Sequence, residues 1–161
     1  MKQLALYLGC VLLCASLQAM LPTAWWAGGL RLELVPSLVA FGALTFRTPR
    51  ARVGFAVVAG LAQDAFSAAT PYGISALAYG LAAFGLTRWE RWLDRDLPWI
   101  QSGAAVFVSV TAGLLAILAR GWISAGSVPK LFLLGLISGL VAPLLFTGMN
   151  YLGQTFERRL A

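Results

Sequence analysis

The chain has six carboxylates and no histidine, and this inventory limits the chemistry it could perform. Without histidine, the commonest general base and metal ligand is missing. Cys10 and Cys14 stand four residues apart in an apolar run, the spacing of one helix face. Buried there, they suit packing rather than nucleophilic attack or metal binding, and they say nothing of redox compartment. Of the acids Glu33, Asp64, Glu90, Asp94, Asp96 and Glu157, the pair Asp94 and Asp96 has the spacing of a metal pair. It alternates with Arg91 and Arg95 in the most polar segment of the chain, 88–98, and interspersed charges of this kind belong to a solvated loop. No glycine-rich segment precedes a Lys-Ser or Lys-Thr, so no phosphate-cradling loop is present. The residues therefore predict no enzyme and no cofactor. Asp64 is the exception that asks for an explanation, because Gly60-Leu61-Ala62-Gln63-Asp64-Ala65-Phe66-Ser67 is flanked on both sides by apolar segments. An acid in hydrocarbon costs roughly 2.5–3.5 kcal/mol on insertion scales, so it needs a partner, a wet cavity or a function.

The elements that position Asp64 follow from composition. Apolar residues make up 60% of the chain and charged ones 11%, with a mean hydropathy of +0.80. Soluble domains hold roughly 45–50% and 25%, so an integral membrane protein is expected. The 161 residues contain no long hydrophilic segment, which predicts a single transmembrane domain over 1–161. A span takes about 20 mostly apolar residues, and six fit: about 4–21, 32–46, 53–69, 71–87, 100–119 and 129–152. The second is short, either tilted and broken at Pro36 or a partial helix packed against its neighbours. Ser16-Leu17-Gln18-Ala19 has the look of a signal-cleavage context, although a retained first span is the preferred reading.

Lys and Arg placement predicts orientation. With both termini cytoplasmic, Lys2, Arg47, Arg50, Arg52, Arg88, Arg91, Arg95, Arg158 and Arg159 lie inside, against Arg31, Arg120 and Lys130 outside. All six tryptophans fall near span ends, as aromatic belts do: Trp25, Trp26 and Trp122 outside, Trp89, Trp92 and Trp99 inside. A sequence pI near 10.0 then reflects loop charges meeting anionic headgroups rather than nucleic acid. The turn between Asp64 and Tyr72 faces outward on this topology.

Other candidates have plainer alternatives. Gly135 and Gly139 form a small-xxx-small pattern that lets helix backbones approach, and packing within one bundle is preferred to homodimerisation. Arg31 and Glu33, just before Pro36, read as a rim pair or as a site that meets a partner outside the membrane. Asn150 and Gln154 read as an interfacial cap. Asp64 itself has two readings. As an anchor, it accepts hydrogen bonds from amides freed at the break before Pro71, or from Ser67 and Thr70, with Gly73 allowing a backbone to approach. As a binding group, it contacts a cationic or hydrogen-bonding ligand.

The run from Gly54 to Ser67, followed by Pro71-Tyr72-Gly73-Ile74-Ser75-Ala76-Leu77-Ala78-Tyr79, resembles the core motif of the bacterial rod shape-determining protein MreD family. The family pattern is approximately Gly-Leu-x-x-Asp, a short gap, Pro-x-Gly, and then a helix of small and aliphatic residues with an aromatic. About 25 residues carry the motif, and the Arg31-to-Pro36 entrance, the length and the span count follow more loosely. Gln63 departs from the more common aliphatic residue. The resemblance implies a non-enzymatic subunit of the cell-elongation machinery, or elongasome, in the inner membrane. Its direct partner would be MreC, with MreB, RodA and a class B penicillin-binding protein in the same complex. It also implies an all-α fold of about six transmembrane helices, similar to the substrate-binding subunit of energy-coupling-factor vitamin transporters. That similarity supplies the alternative function, a small-molecule capture subunit.

Overall fold

Three helices begin at a proline in their first turn, where the missing N–H costs no hydrogen bond. In the computed structural model, which describes residues 2–21, 33–67, 71–89, 93–121 and 127–160, six helices follow one another: α1 (Lys2–Met20), α2 (Val35–Thr45), α3 (Pro49–Phe66), α4 (Ile74–Trp89), α5 (Pro98–Arg120) and α6 (Ser127–Leu160). The described residues are all helical or loop. α5 and the 129–155 stretch of α6 are long and apolar enough to cross a bilayer, whereas 5–20 of α1 and α2 are shorter apolar helices.

The expected spans agree with these helices to within a few residues at most ends. The end of α6 departs most, at Leu160 against the expected Leu152, and α3 starts four residues before the expected Val53. At α3 the reason is local: the Thr48 hydroxyl accepts the Ala51 N–H at 3.3 Å and Pro49 occupies the first helical position. Arg50 and Arg52 are thereby helical rather than loop residues. Pro36 also behaves differently from a helix break. It lies in the first turn of α2, so it starts the helix instead of interrupting it.

α2 is the hub. Every residue from Val35 to Leu44 is buried, and α2 touches all five other helices. A helix apolar on all sides belongs in an interior, which is what its composition of Val, Leu, Ala, Phe and Gly specifies. Around it, α3 pairs most extensively with α4, and α5 with α6. A chain of edge-on aromatic contacts ties the hub to its shell. Phe41 of α2 meets Tyr7 of α1 at 5.4 Å and Phe146 of α6 at 5.2 Å, and Phe46 meets Phe55 of α3 at 5.1 Å.

The glycines of the two outer pairs allow close helix contact. A Cβ at Gly60 would collide with the backbone of Ser75 and Ala76 in α4. One at Gly139 would crowd Val106 and the Ser102 carbonyl of α5, and one at Gly135 would meet Val110 and Val106. Gly135 and Gly139 therefore pack within the bundle, the preferred of their two readings. Large apolar side chains cover the outside, among them Leu13, Leu77, Phe84, Leu114, Leu140 and Leu144. Trp89 and Trp99 are exposed at the end of α4 and the start of α5. Trp25, Trp26, Trp92 and Trp122 lie outside the described residues.

Candidate functional site

Asp64 sits in the last turn of α3, two residues before the helix stops at Phe66. The Ser67 N–H closes that end on the Asp64 carbonyl at 3.2 Å. After the turn, Pro71 and Gly73 prepare α4: the Ile74 N–H reaches the Pro71 carbonyl at 3.4 Å, and the Leu77 N–H the Gly73 carbonyl at 3.0 Å. Gly73 holds φ at +97°, a region that residues with a Cβ rarely adopt. Its N–H is one of the donors that a helix start leaves without an intrahelical acceptor. The Asp64 carboxylate takes it, with Oδ2 accepting from Gly73 N at 2.8 Å. Asp64 thus acts as the N-cap of α4 from the end of α3. A negative group there also faces the positive end of the α4 dipole.

This geometry favours the anchoring role for Asp64 and refines it. The acceptor is engaged by the amide of Gly73, and space around the Gly73 α-carbon is open. Glycine is needed here for its backbone angle and not for a close approach. Ser67 contributes its backbone rather than its side chain, and Thr70 lies outside the described residues.

Asp64 is only 4% exposed, and its Oδ1 has no hydrogen-bond partner among the described residues. The same is true of the buried Gln63 Oε1 and of the Tyr79 hydroxyl, whose residue is fully buried in α4. Tyr79 lies within electrostatic range of both Asp64 and Glu33. Ser109 of α5 stands against the Glu33 carboxyl, in a geometry short of a full hydrogen bond. Asp64, Tyr79, Ser109 and Glu33 thus form an electrostatically linked polar cluster drawn from α3, α4, α5 and the lead-in to α2.

The entrance to α2 is fastened in the same way. Gln18 Oε1 of α1 accepts the N–H groups of Leu34 at 3.0 Å and Val35 at 3.4 Å. The Ser138 hydroxyl of α6 donates to the Glu33 carbonyl at 3.2 Å, and the Ser37 hydroxyl donates to the Ser138 carbonyl at 3.0 Å. Glu33 and Pro36 therefore belong to an internal clasp, while Arg31 lies outside the described residues. α2 and α4 share a device: each helix start is satisfied by a side chain from the end of the preceding helix.

Sequence reading singled out Asp64, Glu33, Pro36, Pro71 and Gly73, and all five fall in these two helix entrances. Gly135 and Gly139 face α5 as packing residues. Gln18, Ser37, Ser109 and Ser138 were not singled out as site residues. Gln18 is the one with a usable signal, a lone amide near the end of an apolar run. Among the described residues no group of three His, Cys, Asp or Glu side chains could hold a metal ion. Compared with known proteins, the chain matches no family profile, no curated protein and no solved structure.

Proposed function

We propose that this chain is a non-enzymatic, multi-pass subunit of the bacterial inner membrane that acts as a scaffold in the cell-elongation complex. On this reading it belongs with the MreD family, has both termini in the cytoplasm, and binds MreC. Through MreC it helps organise peptidoglycan synthesis and cell shape alongside MreB, RodA and a class B penicillin-binding protein. The observation that supports it best is the bond from Gly73 N to Asp64 Oδ2. The residues on which the family resemblance rests are the ones that hold each other, so the motif makes sense as a device that sets the angle between two helices. A scaffold requires such fixed geometry and no reactive group. The apolar skin of α1, α4 and α6 suits lipid and a neighbouring transmembrane helix.

A second reading draws on a different observation. The buried Tyr79 hydroxyl and Asp64 Oδ1, without a hydrogen-bond partner among the described residues, are the kind of polar groups that a small-molecule capture subunit of a vitamin transporter would aim at its ligand. Affinity purification from the native bacterium in mild detergent, read by mass spectrometry, separates the two. Recovery of MreC with cell-wall synthesis proteins supports the scaffold. Recovery of a pair of ATPases with a coupling subunit, and no MreC, overturns it. An Asp64→Ala variant is expected to accumulate less or to lose MreC. Normal accumulation with lost ligand uptake would favour the transporter instead.

A further inference from the structure

The end of the bundle opposite the Asp64 turn carries a cavity of about 480 Å³, within the roughly 300–1,000 Å³ range of small-molecule sites. Arg47, Arg52 and Arg95 line it, together with Asp94 and Asp96. Arg52, in the first turn of α3, is 3% exposed. Its Nε–H donates to the Phe46 carbonyl, which ties the side chain to the end of α2. Arg47 and Arg95 reach the same space from exposed positions on either side. The two carboxylates are partly committed at the rim. Asp94 Oδ1 accepts the Asp96 N–H at 3.1 Å, and Asp96 lies 3.9 Å from Arg95 Nε, a loose pairing between exposed side chains. Leu44 and Leu93, with Thr45, complete the lining.

Two exposed arginines, Arg47 and Arg95, on one cavity backed by a third match a tetrahedral oxyanion, because planar N–H forks bind phosphate oxygens in pairs. Leucine beside the cations suits a phosphate that is attached to something apolar. We propose that this cavity holds the phosphate of an anionic phospholipid headgroup, with Arg47 and Arg95 on its oxygens, the buried Arg52 in the wall behind them, and Leu44 and Leu93 against the adjoining hydrocarbon. The cavity is distinct from the Asp64 cluster, and the proposal does not depend on the cell-elongation reading. It differs from the general attraction of basic loops to membranes in predicting that particular arginines matter and their neighbours do not.

The test is native mass spectrometry of the intact chain released from dodecyl maltoside, a phosphate-free detergent, after addition of phosphatidylglycerol, diacylglycerol or inorganic phosphate. Wild type is expected to retain phosphatidylglycerol and not diacylglycerol. The Arg47→Gln, Arg95→Gln double variant is expected to lose that retention by about tenfold or more, the usual effect of removing charge-assisted hydrogen bonds. Arg50→Gln, which removes an exposed arginine of the same helix turn that does not line the cavity, is expected to behave as wild type. Asp96→Asn should tighten binding by releasing Arg95. Equal loss in the double variant and in Arg50→Gln overturns the proposal, as does equal retention of diacylglycerol. Arg-dependent binding of inorganic phosphate without a phosphatidylglycerol adduct overturns the lipid as its source.

Discussion

A carboxylate that caps a neighbouring helix does two separable things, and single substitutions can tell them apart. Asp64→Ala removes both the acceptor for Gly73 N–H and the charge at the start of α4. It should destabilise the protein by about 1–3 kcal/mol, the range for losing a cap or a charged hydrogen-bond partner. Asp64→Asn keeps an acceptor oxygen and should retain most of that stability. Thermal unfolding in detergent measures both, and equal losses in the two variants would mean that charge matters more than the hydrogen bond. Gln18→Ala should cost about 0.5–2 kcal/mol by the same logic, since it leaves the Leu34 and Val35 amides without their acceptor. At this scale the sequence was uneven to read. Asp64 announced itself because an acid among apolar residues has few innocent explanations. Ser37 and Ser138, about a hundred residues apart in the chain, look like ordinary small polar residues in apolar helices. Their role exists only once α2 and α6 lie side by side.

At the scale of elements, glycine placement sorts contacts from surfaces. Gly60→Ala should destabilise by about 1–3 kcal/mol, since its new methyl group would meet α4 backbone that cannot rotate away. Gly54, in the same helix with open space around it, should accept alanine with no loss, or with a gain of up to about 1 kcal/mol from helix propensity. Comparing the two melting temperatures checks the α3–α4 interface without touching the polar cluster. Most helix boundaries were legible to within a few residues, but the Thr48-Pro49 start of α3 lies four residues before the apolar run that suggests Val53, because a cap and a first-turn proline can begin a helix in polar sequence. The nature of α2 was only half legible. Its short apolar run fits a tilted span or a packed partial helix, and its contacts are those of a buried helix enclosed by the other five. Apolar composition does not say whether hydrocarbon or protein supplies the neighbours.

For the whole molecule, the division between an arginine-bearing end and the Asp64 end is the property with the widest consequences. On the proposed topology, Asp96→Cys, whose parent side chain is 87% exposed, should react with an impermeant thiol reagent only from the cytoplasmic side. Tyr72→Cys, at a residue 71% exposed, should react only from outside. Both measurements need a background in which Cys10 and Cys14 are replaced by alanine. Labelling of both sites from one side would rule out the arrangement inferred from Lys and Arg placement.

The hub helix also constrains how such a protein could be made. Eleven residues of helix extend only about 16 Å, half the roughly 30 Å of hydrocarbon in a bilayer. On the proposed multi-pass reading, α2 is therefore not a self-sufficient span, and its polar fastenings come from α1 and from α6. On that reading it would stay incompletely enclosed during synthesis until α6 emerges. A nascent chain that ends before α6 should be a preferred substrate for membrane quality-control proteases. Biogenesis would then be finished not by the final residue leaving the ribosome but by Ser138 closing over Glu33.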